Sequence, residues 1–178
     1  MTGAEVSVLP DVMVGRVAWV FPDDFDVDEI IGVQNIRTFD VDVLRAACMT
    51  DLDPTFVTTV EPGDWLVAGH NFGYGHPHDQ PMMTLRGVGV VGVVAESFAP
   101  LFARGETYNG FPLVTCPGIS TVTQRGAAVE VEWRLGRVRL PERGTVLEGT
   151  VPGPAQARLI ESGGGDRLLL ERAAGGDL

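Results

Sequence analysis

Eight consecutive residues, Val88–Ala95, read Val-Gly-Val-Val-Gly-Val-Val-Ala and offer no polar side chain to either face. A strand with one wet face alternates apolar and polar residues. A run without alternation reads as a strand buried on both sides, as in a parallel sheet with a layer of structure on each face. The surrounding residues supply the rest of such a unit. Trp65-Leu66-Val67-Ala68 is a second short apolar strand, and Phe111–Thr115 a third. Between them lie two helix-like segments. One runs from Pro81, which suits a first helical turn, to about Arg86, with Gly87 or Gly89 to end it. The other follows Ser97, placed as its cap, and runs through about Phe102. Residues 64–115 are therefore predicted to form a strand–helix–strand–helix–strand unit with right-handed crossovers, and the fold class is α/β.

The flanking segments are read in the same way. Residues 1–13 form a loose lead-in, 14–172 a single domain and 173–178 a frayed tail. Gly15–Val20 is a β-rich first strand, followed by an acidic loop with aspartates at 23, 24, 26 and 28. Acidic loops are usually solvated charge. Thr38 is placed as the cap of a helix over about Phe39–Ala47, with Asp40 and Asp42 in its first turn. Asp53-Pro54 opens a short helical turn, and Glu61-Pro62-Gly63-Asp64 is a turn. Later, Val129–Trp133 and Arg137–Leu140 alternate around Gly136 as a hairpin. Ala155–Glu161 is helical and stops at Gly163-Gly164-Gly165, and Arg167–Glu171 is a short final element.

Composition removes several functions. The 178 residues carry a net charge of −11, which argues against nucleic acid or an anionic membrane as partner. Lysine is absent and every basic residue is arginine, so Schiff-base chemistry and a P-loop lysine are excluded. The two cysteines, Cys48 and Cys116, cannot by themselves hold an iron–sulfur cluster or a structural zinc. They read as reduced, half-buried thiols of a cytoplasmic protein, with a disulfide between them as the alternative. No signal peptide is visible, and the longest apolar run is too short to cross a bilayer.

The chemistry concentrates between the second strand and its helix. Ala68–Gln80 holds all three histidines, His70, His76 and His78, with Asn71, Tyr74, Asp79 and the glycines Gly73 and Gly75. A glycine-rich polar loop between strand and helix is a usual place for a small-molecule site in an α/β sheet. Proline at 77 favours an extended His76, which puts His76 and His78 on one side of the chain. Histidine exchanges protons near neutrality, with an ordinary pKa of about 6.5. The pair is therefore expected to act as acid and base, with His76 the base and His78 a second acid/base or carboxylate binder. Asp79 or Tyr74 would orient or assist them, and the start of the next helix would attract an anionic substrate. His-x-His-Asp is also a permissive metal-ligand pattern, and exposed histidines without function are the plain alternative.

Four stretches then carry a family resemblance: Asp-Val-Asp-Glu-Ile-Ile at 26–31, Pro-Gly-Asp-Trp-Leu-Val-Ala-Gly at 62–69, Asn-Phe-Gly at 71–73 and Ala-Glu-Ser-Phe-Ala at 95–99. In order and spacing they resemble the small subunit of 3-isopropylmalate dehydratase, which is similar to the swivelling C-terminal domain of aconitase. The resemblance implies a three-layer β/β/α swivelling domain. It implies a large partner subunit carrying a [4Fe-4S] cluster, a small carboxylate or carbonyl substrate, and no cofactor held by this chain. It also exposes a departure. Where the family reads Cys-Gly-Ser-Ser-Arg-Glu-His, this chain reads Tyr74-Gly75-His76-Pro77-His78-Asp79-Gln80. The family's serine base, and the serine and arginine that bind substrate, correspond to His76, Pro77 and His78. The family's Ile-Ile-Pro and arginine–tyrosine pair give way to Gly32, Gln34 and Asn35.

The candidate catalytic residues are thus His76, His78, Asp79 and Tyr74. The candidate substrate-binding residues are Asn71, Gly73, Gly75, Asp28, Gln34 and Asn35, with Asp26, Arg37 and Arg104 as further candidates and no metal site. The expected activity is that of a divergent hydro-lyase or isomerase component, moving a proton next to a carboxylate or carbonyl in specialised metabolism. A stand-alone dehydratase, isomerase or cyclase, as a homo-oligomer, and a non-catalytic binding domain are the alternatives.

Overall fold

The computed structural model describes residues 9–175. Seven strands form one mixed sheet in the order β4-β3-β2-β1-β5-β6-β7. Strands β1 (Met13–Phe21), β2 (Trp65–Ala68), β3 (Gly92–Ala95) and β4 (Leu113–Thr115) are mutually parallel. Strands β5 (Ala128–Glu132), β6 (Arg137–Leu140) and β7 (Thr145–Glu148) add an antiparallel meander. The two halves share β1. Its first residues, Met13–Arg16, pair with β5, and its last, Val17–Phe21, pair with β2, with a register shift between Val17 and Trp19. A bulge bends a strand and increases its twist, and here it lies where the chain leaves one half of the sheet for the other.

Alternation on β2 and β3 explains the layers. Leu66, Ala68, Val93 and Ala95 point into one core, with Leu44 of α1 (Val41–Ala47), Phe56 of α2 (Phe56–Thr59), Met82 and Leu85 of α3 (Asp79–Gly87) and Phe102 of α4 (Pro100–Tyr108). Trp65, Val67 and Val94 point into a second core, with Val114, Val129, Val131, Val138 and Leu140. The second core also takes Ile119 of α5 (Ile119–Val122) and Ile160 of α6 (Pro154–Ser162). Helices thus cover one face of the parallel strands, and the curled antiparallel half covers the other. The expected α/β, β/β/α arrangement is the one observed. Cys48 and Cys116 lie in different cores and are free. Burial pushes their thiols up to about 12 and about 11 respectively, so neither is poised to ionise at neutral pH.

Several elements differ from expectation. The doubly buried run is only half strand. Gly89, at φ +106, packs against Pro62, and Val88 and Val90 donate back to Leu85 as the helix ends, so β3 starts at Gly92. The first strand starts at Met13, two residues before Gly15, because its leading end pairs with β5. Helix α1 starts at Val41. Asp40 is its cap, accepting from the N–H groups of Asp42 and Val43, while Thr38 accepts one step earlier from Asp40. Helix α4 starts at Pro100, because the Ser97 hydroxyl accepts from the Asn71 N–H instead of capping. The final helix, α7 (Gly165–Gly175), is longer than expected and includes residues assigned to the frayed tail. Residues 1–8 and 176–178 lie outside the described residues.

Gly92 and Trp65 stand opposite each other in β3 and β2. A Cβ at position 92 would lie 2.2 Å from the buried Trp65 ring. The Gly92→Val variant is expected to lose roughly 1–3 kcal/mol of stability, read as a lowered midpoint in urea denaturation.

Candidate active site

The parallel strands end together, and the segments leaving β1, β2 and β3 meet there, where open α/β sheets bind ligands. The loops after β1 and β2 cross and are tied by backbone and side chain. Asp24 donates its N–H to the His70 carbonyl (2.8 Å), and the His70 N–H donates to Asp23 Oδ1 (2.6 Å). The Asn71 amide donates to Asp24 Oδ1 (2.7 Å). Asp24 and Asn71 are both left-handed, with φ 54° and 55°, a conformation these two residue types tolerate better than most. Further on, Gly73 and Tyr74 both donate to the Phe25 carbonyl, at 3.1 and 3.2 Å. Gly73 has φ +83, and a Cβ there would stand 2.2 Å from Phe102. It is therefore a packing residue beneath the loop, although the sequence suggested contact with substrate.

Next the chain passes Gly75, beside the Asp26 carboxylate, and reaches the histidines. The Asp26 side chain caps a short 3-10 turn, Val27–Ile30, accepting from the Asp28 N–H (3.0 Å). This turn aims Asp28 at His78. One carboxylate oxygen accepts the His78 backbone N–H (3.1 Å), and the other lies 2.7 Å from the ring Nδ1. The Asp28 side chain is 8% exposed and that of His78 36%. His76 is exposed, and its ring stands edge-on to His78 with centroids 5.8 Å apart. The two imidazoles are thus neighbours at a surface. Ring Nε2 of His78 makes no hydrogen bond among the described residues.

The remaining candidates divide. Asp79 is exposed in the first turn of α3, where its charge suits the helix dipole, and among the described residues it makes no hydrogen bond to either imidazole. Tyr74 is 54% exposed, likewise without a bond to them. The acid that holds the His78 imidazole is Asp28, expected only to bind substrate, and neither Asp79 nor Tyr74 fills that place. Asn35 donates to the Ile31 carbonyl (2.6 Å), and the Gln34 side chain lies beside Gly32, so neither is hydrogen-bonded to the histidine loop. Arg37 and Arg104 are exposed and take no part in its hydrogen bonds. Asn71 acts on the loop crossing described above. The metal alternative gains nothing, since among the described residues no three His, Cys, Asp or Glu side chains are grouped to hold an ion.

Glu96 was not singled out from the sequence beyond its motif, yet it fixes the third segment of the site. Its carboxylate accepts from Gly118 N–H (2.5 Å), Ser120 N–H (2.9 Å) and Ser120 Oγ (2.6 Å). Burial pushes this carboxyl up, but those hydrogen bonds, with a contribution from His70, outweigh it and hold the group below its ordinary value. Its position after an apolar strand was legible. Its partners, more than twenty residues away, were not.

A parallel sheet covered by helices on one face and strands on the other, with a polar loop at the strand ends, defines an aconitase-type swivelling domain. Residues 33–115 match the Aconitase C-terminal domain family. The chain is 40% identical over 154 residues to 3-isopropylmalate dehydratase small subunit 1 of Methanopyrus kandleri, covering 86% of this chain and 90% of that one. It is 35% identical over 162 residues to the 3-isopropylmalate dehydratase small subunit of Halothermothrix orenii, covering 91% and 95%. Its structure matches the crystal structure of 3-isopropylmalate dehydratase (LeuD) from Methanocaldococcus jannaschii with a TM-score of 0.82, 28% identity, and 92% and 96% coverage. The chain belongs to the 3-isopropylmalate dehydratase small-subunit family, and with it to the subunits of lyases and isomerases. The resemblance carried by the four motifs holds for the whole domain.

The lowered Glu96 carboxyl has a pH signature. A group whose pKa falls on folding stabilises above its unfolded value and loses that contribution as pH falls through the folded one. Glu96→Gln is expected to lose roughly 1–3 kcal/mol near neutrality. The gap to the parent should narrow below the ordinary value of 4.5. Thermal unfolding across a pH series measures both.

Proposed function

We propose that this chain is the small subunit of an aconitase-type hydro-lyase or isomerase, and that its histidine loop moves a proton next to the carboxylate of a small hydroxy acid. The observation that carries this reading is the adjacent His76–His78 pair, 5.8 Å between ring centroids, at the strand-end loop where the family places its serines and arginine. A serine hydroxyl needs a special environment to give up its proton, whereas an imidazole accepts one near neutral pH. The rings sit on an open surface. Such a surface suits a half-site that a second, large subunit completes.

In this reading the large subunit holds the [4Fe-4S] cluster. Among the described residues this chain offers only two buried, separated thiols and no metal-sized cluster of ligands. When bound there, the cluster supplies Lewis-acid activation of the substrate's hydroxyl and carboxylate. The residues of this chain do the remaining work: His76 and His78 hold and move the proton, and the start of α3 favours an anion beside them. Without the arginine fork, a carboxylate loses its two-bond grip. A substrate other than 3-isopropylmalate follows, and with it a place in a specialised pathway outside leucine biosynthesis.

Co-expression with a large subunit of this dehydratase family from the same organism is expected to give a brown one-to-one complex. That complex should dehydrate or isomerise one of a panel of hydroxy acids, followed by ultraviolet absorbance of the unsaturated product. His78→Ala should lower kcat by roughly 10²–10⁴-fold, with complex formation unchanged. Full activity in both His76→Ala and His78→Ala would remove the histidine loop from the chemistry.

A further inference from the structure

We propose that Asp28 is a positioning residue that holds His78 as the Nδ1–H tautomer, so that Nε2 of His78, and not His76, takes the proton from the substrate. The inference rests on the reading above that the histidine loop is the proton-transfer site. Three observations carry it. First, the Asp28 carboxylate is buried and both its oxygens face His78, one at the backbone N–H (3.1 Å) and one at ring Nδ1 (2.7 Å). An ionised carboxylate only accepts, so the ring proton belongs on Nδ1 and Nε2 is left with its lone pair. Second, Asp28 is itself held, because the Asp26 carboxylate accepts its backbone N–H and fixes the turn that aims it. Third, His76 is exposed and has no hydrogen-bonding side-chain partner among the described residues, so nothing fixes its tautomer or direction.

This arrangement has the logic of a nucleophile's base oriented by a carboxylate, here applied to a carbon acid. In the forward direction the substrate C–H bond breaks and its proton bonds to Nε2. The C–H electron pair becomes the second bond of a C=C, and the hydroxyl on the neighbouring carbon leaves with its C–O pair as hydroxide. The imidazolium so formed lies against the Asp28 carboxylate, which stabilises its charge. Return of that proton to hydroxide completes the loss of one water.

Two measurements test it. Long-range 1H–15N correlation spectra of the full chain, at mildly alkaline pH where an ordinary imidazole is neutral, are expected to show His78 protonated at Nδ1 and bare at Nε2. Asp28→Asn should mix the two tautomers. An Nε2–H tautomer in the parent, or an imidazolium persisting there, would overturn the proposal, and neither result depends on activity. In the complex with the large subunit, Asp28→Asn is expected to lower kcat roughly 10- to 100-fold with little change in KM. In a His78→Gln background it should lower kcat less than about twofold, because a residue acting through another shows no separate effect once that partner is gone. Equal losses in both backgrounds would sink the dyad while leaving the histidine loop as the site. An active His78→Gln complex would remove His78 as the proton acceptor as well.

Discussion

Burial on both faces is the constraint from which this structure follows. Strands β2 and β3 have no side chain that tolerates water on either side: Leu66 and Val93 serve the helical core, Trp65 and Val94 the other. A parallel strand of this kind is stable only with a layer on each face. The chain supplies helices on one side and the curled β5–β7 meander on the other, joined through the bulged β1. Gly92 belongs to the same constraint, since its missing side chain makes room for the Trp65 ring.

The layers decide where polar chemistry goes. With both faces covered, the backbone reaches solvent at the strand ends, and three segments arrive there at once. Each is fastened by a carboxylate: Asp23 and Asp24 at the crossing after β1 and β2, Asp28 at His78, and Glu96 at the residues 118–120 turn. The acidic loop that reads as solvated charge is in part the scaffold of the site. Its negative charges act at short range, by accepting N–H groups from a loop nearly fifty residues away.

That distance explains what the sequence disclosed and what it withheld. The parallel core was legible in Trp65–Ala68 and Val88–Ala95, because local periodicity reports burial. The loop with the histidines was legible because it holds every His and departs from the family pattern. The limits of β3 were not, because the wrap of Val88–Val91 around Gly89 uses the same apolar residues as a strand. Ser97 and Thr38 looked like helix caps by composition. A hydroxyl accepts from whichever N–H tertiary structure brings near, and for Ser97 that was Asn71. Likewise, a carboxylate next to a histidine in sequence, Asp79, was the natural partner on paper. The fold gave the place to Asp28, from another strand's loop.

The crossing of the first two loops has a mechanical consequence. Asp24 and Asn71 face each other in left-handed conformations, locked by a side-chain amide and by the His70 carbonyl. Neither loop can lift without breaking its neighbour's bonds and releasing a residue from a conformation few others adopt. At this crossing the two loops therefore act as one unit, and a displacement of either is passed to the other. A contact made on the loop after β1 is thereby felt by the loop after β2, which leads to the histidines.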